Sequence, residues 1–232
     1  MTAAAATNPE QLLFASTAAA FLDKEGSLAR VRELHAAGES FDPDWWQRAA
    51  ELGWTSLLVP ESLGGGSVSG DGVADLVMIA EAIGRSVAPG PLHPVSVVLA
   101  GLSEAPDGHQ DSIDALVSGT SVAAWACYEP GQPCDPTQPQ VTATRSAGGY
   151  QLNGVKDRVE AGAEADLLLV TATCDGAVEQ FLMPADSPGV TTTPQRCVDL
   201  VKRYARVQFD TVEVPESARV GDGDRTPSII ER

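Results

Sequence analysis

At Gly119 the hydrophobic period of this chain changes, and that switch limits the folds open to it. Before it, apolar residues recur at helical spacing; after it, they fall in short runs and alternations split by turn signals. The helical half opens at Asn8-Pro9-Glu10, with proline in the first turn and an acid to complement the dipole. Its first apolar residues are Leu12, Leu13, Ala19 and Phe21, and a second amphipathic piece covers 27–37. Asp42-Pro43-Asp44 starts a helix that reaches Leu52 and is stopped by Gly53. Trp54 to Pro60 is a short apolar stretch. A helix over Asp71 to Ser86 would place Val73, Leu76, Val77, Ala80, Ile83 and Val87 on one face. Pro89-Gly90-Pro91 breaks it, and two more helical pieces follow near 94–103 and 109–117.

Beyond Gly119 the runs read as strands: Ser121–Cys127, Gln140–Arg145, Tyr150–Lys156, Leu167–Thr173, Val178–Met183, Val190–Thr193 and Arg206–Val214. Ala147-Gly148-Gly149 is a hairpin turn signal, and Asp175-Gly176 is another. Helices followed by many short strands predict an α+β chain. An all-helical N-terminal domain over 1–118 precedes a β-barrel or sandwich over 119–221, and 222–232 starts a further helical domain.

The charge narrows the partners. A net charge of −17 over 232 residues argues against nucleic acid or an anionic membrane as the main partner. It also gives no general help to a polyanionic small ligand, which would need local donors. Cys127, Cys134, Cys174 and Cys197 show neither CxxC spacing nor a dense framework, so they read as reduced thiols. His35, His93 and His109 are scattered, and no metal site is expected. The N-terminus lacks a basic n-region, and no run approaches the ~20 apolar residues of a membrane span. The expected location is cytoplasmic. Gly64-Gly65-Gly66 is not followed by Lys-Ser or Lys-Thr, which excludes a P-loop reading.

Three segments carry a more specific signal. The first is Ala49-Ala-Glu-Leu-Gly-Trp-Thr-Ser-Leu-Leu-Val-Pro-Glu-Ser-Leu-Gly-Gly-Gly66. The second runs from Trp125-Ala-Cys-Tyr-Glu-Pro-Gly-Gln-Pro-Cys-Asp135 to Tyr150-Gln-Leu-Asn-Gly-Val-Lys-Asp-Arg-Val-Glu-Ala-Gly162. The third spans Gly189 to Pro215 and ends in Val-Glu-Val-Pro. Together they make the chain resemble the acyl-CoA dehydrogenase family, through its N-terminal helical and flavin-binding middle domains, from about residue 10 onward. The resemblance implies FAD as cofactor and α,β-dehydrogenation of an acyl-CoA thioester, in which a carboxylate removes the α-proton and the β-hydride passes to the flavin.

Taken residue by residue, Glu129, Pro130, Gly131 and Asp135 match the family loop Thr-Glu-Pro-Gly-x-Gly-Ser-Asp. Asn153, Gly154, Lys156 and Gly162 match the strand Asn-Gly-x-Lys-x-Trp-Ile-Thr-Asn-Gly. The resemblance places cofactor contacts at Trp125, Cys127, Tyr128, Cys134, Arg158 and Glu160, and substrate contacts at Glu129 and Asp135. Departures fall on that same set. Tyr128 stands for a threonine, Cys134 for a serine, Arg158 for a tryptophan, Glu160 for a threonine, and Pro133 removes a backbone N–H. Two readings of Arg158 and Glu160 stay open: a surface ion pair on one strand face, or a rewired cofactor site. Trp125 reads as strand core or as a stacking group.

The family continues into a C-terminal helical bundle that carries the catalytic glutamate. Here the sequence stops at Ser228-Ile-Ile-Glu-Arg232, which reads as a truncation; Glu231 matches no catalytic motif, and no catalytic residue is assigned. Some actinobacterial members of the family pair two unlike chains with partial sites. The expectation is therefore a dehydrogenase subunit or fragment, inactive alone, with FAD held mainly by a second dehydrogenase-like chain in a hetero-oligomer. A bulky acyl group such as a steroid side chain follows from family analogy alone. The alternatives are a non-redox acyl-CoA-binding or structural subunit, and another flavoenzyme of the superfamily, an oxidase or monooxygenase.

Overall fold

The computed structural model describes residues 8–26, 28–133, 135–221 and 226–230. Six helices come first: α1 Pro9–Glu25, α2 Leu28–Ala37, α3 Pro43–Glu51, α4 Gly72–Ser86, α5 Leu92–Glu104 and α6 Gln110–Val117. Asn8 caps α1 in a reciprocal box, its side chain accepting from the Gln11 amide while Gln11 reaches back. Asp42 caps α3 through the Asp44 and Trp45 amides. Phe21, Trp45 and Trp54 meet with ring centroids 5.5–6.0 Å apart and anchor the helical core.

The expected apolar face of α4 holds only in part: Leu76 and Ile83 pack against the helical core, and the valines do not. Val73, Val77 and Val87 are 64%, 59% and 39% exposed, and Leu12 and Leu13 on α1 are also exposed. The buried residues of α4 are Asp75 and Ile79. Asp75 accepts from Gln11 Nε2 at 2.8 Å, from the Ser69 amide at 2.9 Å and from Ser69 Oγ at 2.8 Å. The satisfied Asp75 carboxylate is thus buried beside Ile79, Leu76 and Ile83, and the valines are left outside.

The β half holds β1 Ala123–Ala126, β2 Thr142–Ser146, β3 Gly149–Glu160, β4 Leu167–Cys174, β5 Ala177–Pro184, β6 Val190–Pro194, β7 Tyr204–Pro215 and β8 Arg219–Val220. They form one mixed sheet in the order β6-β7-β3-β2-β4-β5-β8, with β1 pairing parallel to β4. The chain is thus α+β, a helical part followed by an eight-stranded sheet, with a short last helix, α7, at Thr226–Ile230. Tyr150 of β3 and Phe181 of β5 are three strands apart in that order, yet their rings lie 4.8 Å apart. The sheet therefore curls around its own core, which includes Leu152, Val170, Val207 and Val212. Its other face, through Ala123, Leu169 and Leu182, completes the helical core.

The strand β3 runs past the expected Lys156 to Glu160, because its pairing with β7 shifts register twice, between Leu152 and Gly154 and between Lys156 and Val159. At the second shift Arg158 adopts φ 53°. That bulge decides the geometry of the site.

Candidate functional site

Beneath the site lies a buried ion pair. Lys156 Nζ donates to Glu129 Oε1 at 2.7 Å and to the Cys127 carbonyl at 3.2 Å. Glu129 also accepts from the Gln140 amide at 2.7 Å and the Val141 amide at 2.9 Å. Lys156 is 0% and Glu129 5% exposed, so the pair ties the loop after β1 to β3 from within. Burial pushes the Lys156 ammonium below its ordinary value, and the Glu129 hydrogen bond offsets this only in part. Both Glu129 oxygens are engaged inside the protein.

Asp135 closes the same loop on itself. It accepts from the Thr137 amide at 3.0 Å, from Thr137 Oγ1 at 2.6 Å and from Gln138 Nε2 at 2.8 Å. The hydrogen bonds from Thr137, with that from Gln138, hold its carboxyl below the ordinary range. Cys127 is buried, and its carbonyl serves Lys156. Trp125 packs partly buried against the helical core and donates from Nε1 to Thr171 Oγ1 at 2.8 Å. Cys134 and Glu231 lie outside the described residues.

The outer layer is different. The Arg158 guanidinium sits 5.7 Å from the centre of the Tyr128 ring. Glu160, two residues on, pairs instead with Lys202 and with His93 Nδ1 at 3.2 Å. The expected Arg158–Glu160 ion pair is therefore absent: the bulge at Arg158 breaks the strand alternation that would have put both on one face. Burial raises the Glu160 carboxyl, but hydrogen bonds from His93 and Lys202 outweigh it and hold the group low. His93 stands in the first turn of α5, so this cluster also links the helical part to the sheet.

A cleft of about 440 Å³ opens beside Tyr128 and Arg158, completed by Gln195, Arg196, Cys197 and Tyr204. It adjoins a second cleft of about 790 Å³ between the two halves, since Gln195 and Tyr204 line both. Sequence reasoning missed Gln195, Arg196, Tyr204, Lys202 and His93. Only the register of β6 and β7, which sets Gln195 against Tyr204, brings the segment after β6 over the bulge.

Residues 8–104 match the family model for the acyl-CoA dehydrogenase N-terminal domain. Acyl-CoA dehydrogenase FadE27 of Mycobacterium tuberculosis is 32% identical over 198 residues, covering 83% of this chain and 50% of that protein. The solved ChsE4–ChsE5 complex of Mycobacterium tuberculosis superimposes with a TM-score of 0.82 at 27% identity, covering 96% of this chain and 60% of that one. A solved Tcur3481–Tcur3483 steroid ACAD gives a TM-score of 0.82 at 27% identity, covering 96% of this chain and 59% of that one. The chain belongs to the acyl-CoA dehydrogenase family. It spans about half the length of the curated relatives it matches. Among the described residues, no helix is long and apolar enough to cross a membrane.

Proposed function

We propose that this chain is a subunit or part of a flavin-dependent acyl-CoA dehydrogenase and works with a second, unlike dehydrogenase chain. The helical part at 1–118, the β part at 119–221 and the start of a further helical part at 222–232 would then be its share of the assembly. The substrate class is an acyl-CoA thioester, FAD supplies the oxidising equivalent, and the compartment is the cytoplasm. The family frame supports this reading, as does similarity to two solved proteins named by pairs of chains, ChsE4–ChsE5 and Tcur3481–Tcur3483.

The observation that carries the division of labour is the outer layer of the site. The positions that the resemblance gives to a flavin ring do not fit one. Arg158 lies over the Tyr128 ring, and the Glu160 carboxylate, an acceptor only, is held by Lys202 and His93. Glu129 has both oxygens committed to the loop brace. No step of the reaction is assigned to these side chains, and FAD is placed mainly with the partner.

The test is the visible spectrum of the chain co-purified with an unlike acyl-CoA dehydrogenase chain, with FAD supplied. Flavin bands that bleach with an acyl-CoA, at one flavin per two partial sites, support the reading. One full-strength flavin for each copy of this chain would refute the division of labour. A colourless assembly would favour a binding or structural subunit, which the locked state of Glu129 and Glu160 also suits. In an assembled pair, restoring Thr at 128, Trp at 158 and Thr at 160 should raise FAD affinity. No gain in a folded variant would remove the Tyr128 face as the reason.

A further inference from the structure

The hairpin of β6 and β7 ends the sheet. β6 pairs with β7 alone, so its outer edge has no strand beside it, and its residues are exposed or half-buried throughout. The connection over 195–203 forms the tip of this hairpin. On it Val198 is 99% exposed and Leu200 37%. A branched apolar side chain left almost wholly in water contributes nothing to the fold of this chain alone. The tip is held in place all the same. The Gln195 amide donates to the Tyr204 carbonyl at 2.8 Å, and Gln195 Nε2 donates to Asp157 Oδ1 at 2.7 Å. Asp199 Oδ1 accepts from the Val201 amide at 2.8 Å and from the Lys202 amide at 3.1 Å. Lys202 pairs with Glu160, and Arg203 Nη2 donates to the Glu39 carbonyl at 3.2 Å. Both ends of the connection and its turn are thus fixed, so Val198 stands on a stem that needs little further ordering to dock.

Positive charge concentrates at the same place. Residues 196–206 hold Arg196, Lys202, Arg203 and Arg206, four of the chain's 15 Lys and Arg, against Asp199 alone of its 32 acids. Among the described residues, Arg196, Arg203 and Arg206 have no carboxylate within ion-pair distance, whereas Arg30, Arg48 and Arg219 each have one. Asp199 is turned to its own backbone amides. Arg206 opposes Thr193 across the hairpin, and both are exposed. Exposed cations therefore run from Arg196 at the tip to Arg206 on the outer face of the edge.

We infer that this hairpin tip is a docking point for the unlike dehydrogenase chain, which meets it with an apolar hollow rimmed by carboxylates. Val198 fills the hollow, and Arg196 and Arg206 pair with the rim. An apolar centre ringed by arginines is the ordinary composition of a protein contact. A projecting tip suits a protein surface, whereas a small ligand takes a concave site. A phosphate polymer or an anionic bilayer would face the net charge of −17 over a wide area. A protein partner touches the tip, and salt screens the charges more than about 8 Å away. A second copy of this chain would bring another −17 and is the weaker match. Docking here rests on the two-chain reading above and adds to it the surface used and the chemistry of the partner's face.

The test is the affinity of the full chain for a co-purifying, unlike acyl-CoA dehydrogenase chain, read by biolayer interferometry. Val198→Asp should weaken it at least tenfold. Arg196→Glu combined with Arg206→Glu should also weaken it at least tenfold and remove most of its dependence on added salt. All three positions are exposed, so each variant should keep the parent's denaturant midpoint. The unsubstituted chain gives a second readout: alkylation of the exposed Cys197 thiol, located by peptide mapping, should slow at least tenfold in the complex. Val77→Asp, on the exposed side of α4, should change the affinity less than twofold. Hairpin variants within twofold of the parent, or Cys197 equally reactive in the complex, would overturn the docking point and leave the two-chain assembly standing. A homodimer that Val198→Asp dissolves would overturn the choice of occupant. If no unlike chain associates, the two-chain reading falls and the docking point falls with it.

Discussion

Replacing Lys156 by methionine keeps most of the side-chain volume and removes a charge from a site where Lys156 is 0% and Glu129 5% exposed. The ammonium makes two hydrogen bonds, at 2.7 Å to Glu129 and 3.2 Å to the Cys127 carbonyl. Breaking a buried pair by removing one partner costs about 3–5 kcal/mol. Glu129 keeps its bonds to the Gln140 and Val141 amides, so part of its charge stays compensated and the loss should sit near the low end. We expect about 3 kcal/mol, or roughly 1 M in urea midpoint for an m-value near 3 kcal/mol/M. Glu129→Gln should lose less, and the double variant should show a coupling of about 2 kcal/mol in a mutant cycle. The folded value of Lys156 lies below its ordinary 10.5, so between the two the unfolded chain holds more protons. The parent should therefore gain stability as pH climbs through that window toward 10.5, and Lys156→Met should lack the gain. A loss under about 1 kcal/mol, or additive single variants, would refute the brace.

Other outcomes follow from the same geometry. Burial raises the Asp75 carboxyl, but hydrogen bonds from Gln11 and Ser69 outweigh it and hold it below 3.8. Its stabilisation is complete above 3.8 and is lost as pH falls through the depressed folded value; Asp75→Ala should cost about 3 kcal/mol at pH 7 and flatten that acid limb in thermal melts. Gly149→Ala should cost roughly 2–3 kcal/mol, measured by denaturant midpoint, because its Cβ would lie 2.2 Å from the Val214 carbonyl oxygen at φ 148°. Val77→Ser, on the exposed side of α4, should shift stability by less than about 0.5 kcal/mol; a larger loss would mean that α4 buries its valine face after all.

The order of elements was legible because helical and strand periods differ and because turn residues mark their ends. Asp42-Pro43-Asp44 and Asp175-Gly176 fall where the chain caps α3 and turns between β4 and β5. What was not legible has a common cause. A periodicity argument assigns the apolar side of α4 to the core, and it cannot know that Asp75 finds three hydrogen bonds from Gln11 and Ser69. It also assigns Arg158 and Glu160 to one strand face, and it cannot see a register shift that depends on β7, more than forty residues away. Both misses are tertiary: a polar group satisfied at a distance, and a bulge fixed by the partner strand.

The residues that match the family are the frame, and the residues that depart from it are the face. Glu129 and Lys156 brace the loop, Asp135 closes its turn, and Asn153 Oδ1 accepts from the Thr211 amide at 2.9 Å where β7 takes φ 57°. Gly154, at φ 135°, lets Val141 approach so closely that a Cβ would meet it at 2.9 Å. None of these positions presents a free group to a ligand, so agreement there reports how the sheet is built and is silent on what it binds. Tyr128 and Arg158, by contrast, are exposed around a cleft, where a change costs the fold little. The two sets should therefore separate experimentally. Substituting Glu129 or Lys156 should lower stability, whereas substituting the exposed Arg158 or Arg196 should leave the denaturant midpoint unchanged. If the arginine variants lost stability as the brace variants do, the distinction between frame and face would fail, and with it the argument that this chain keeps the family scaffold under a different surface chemistry.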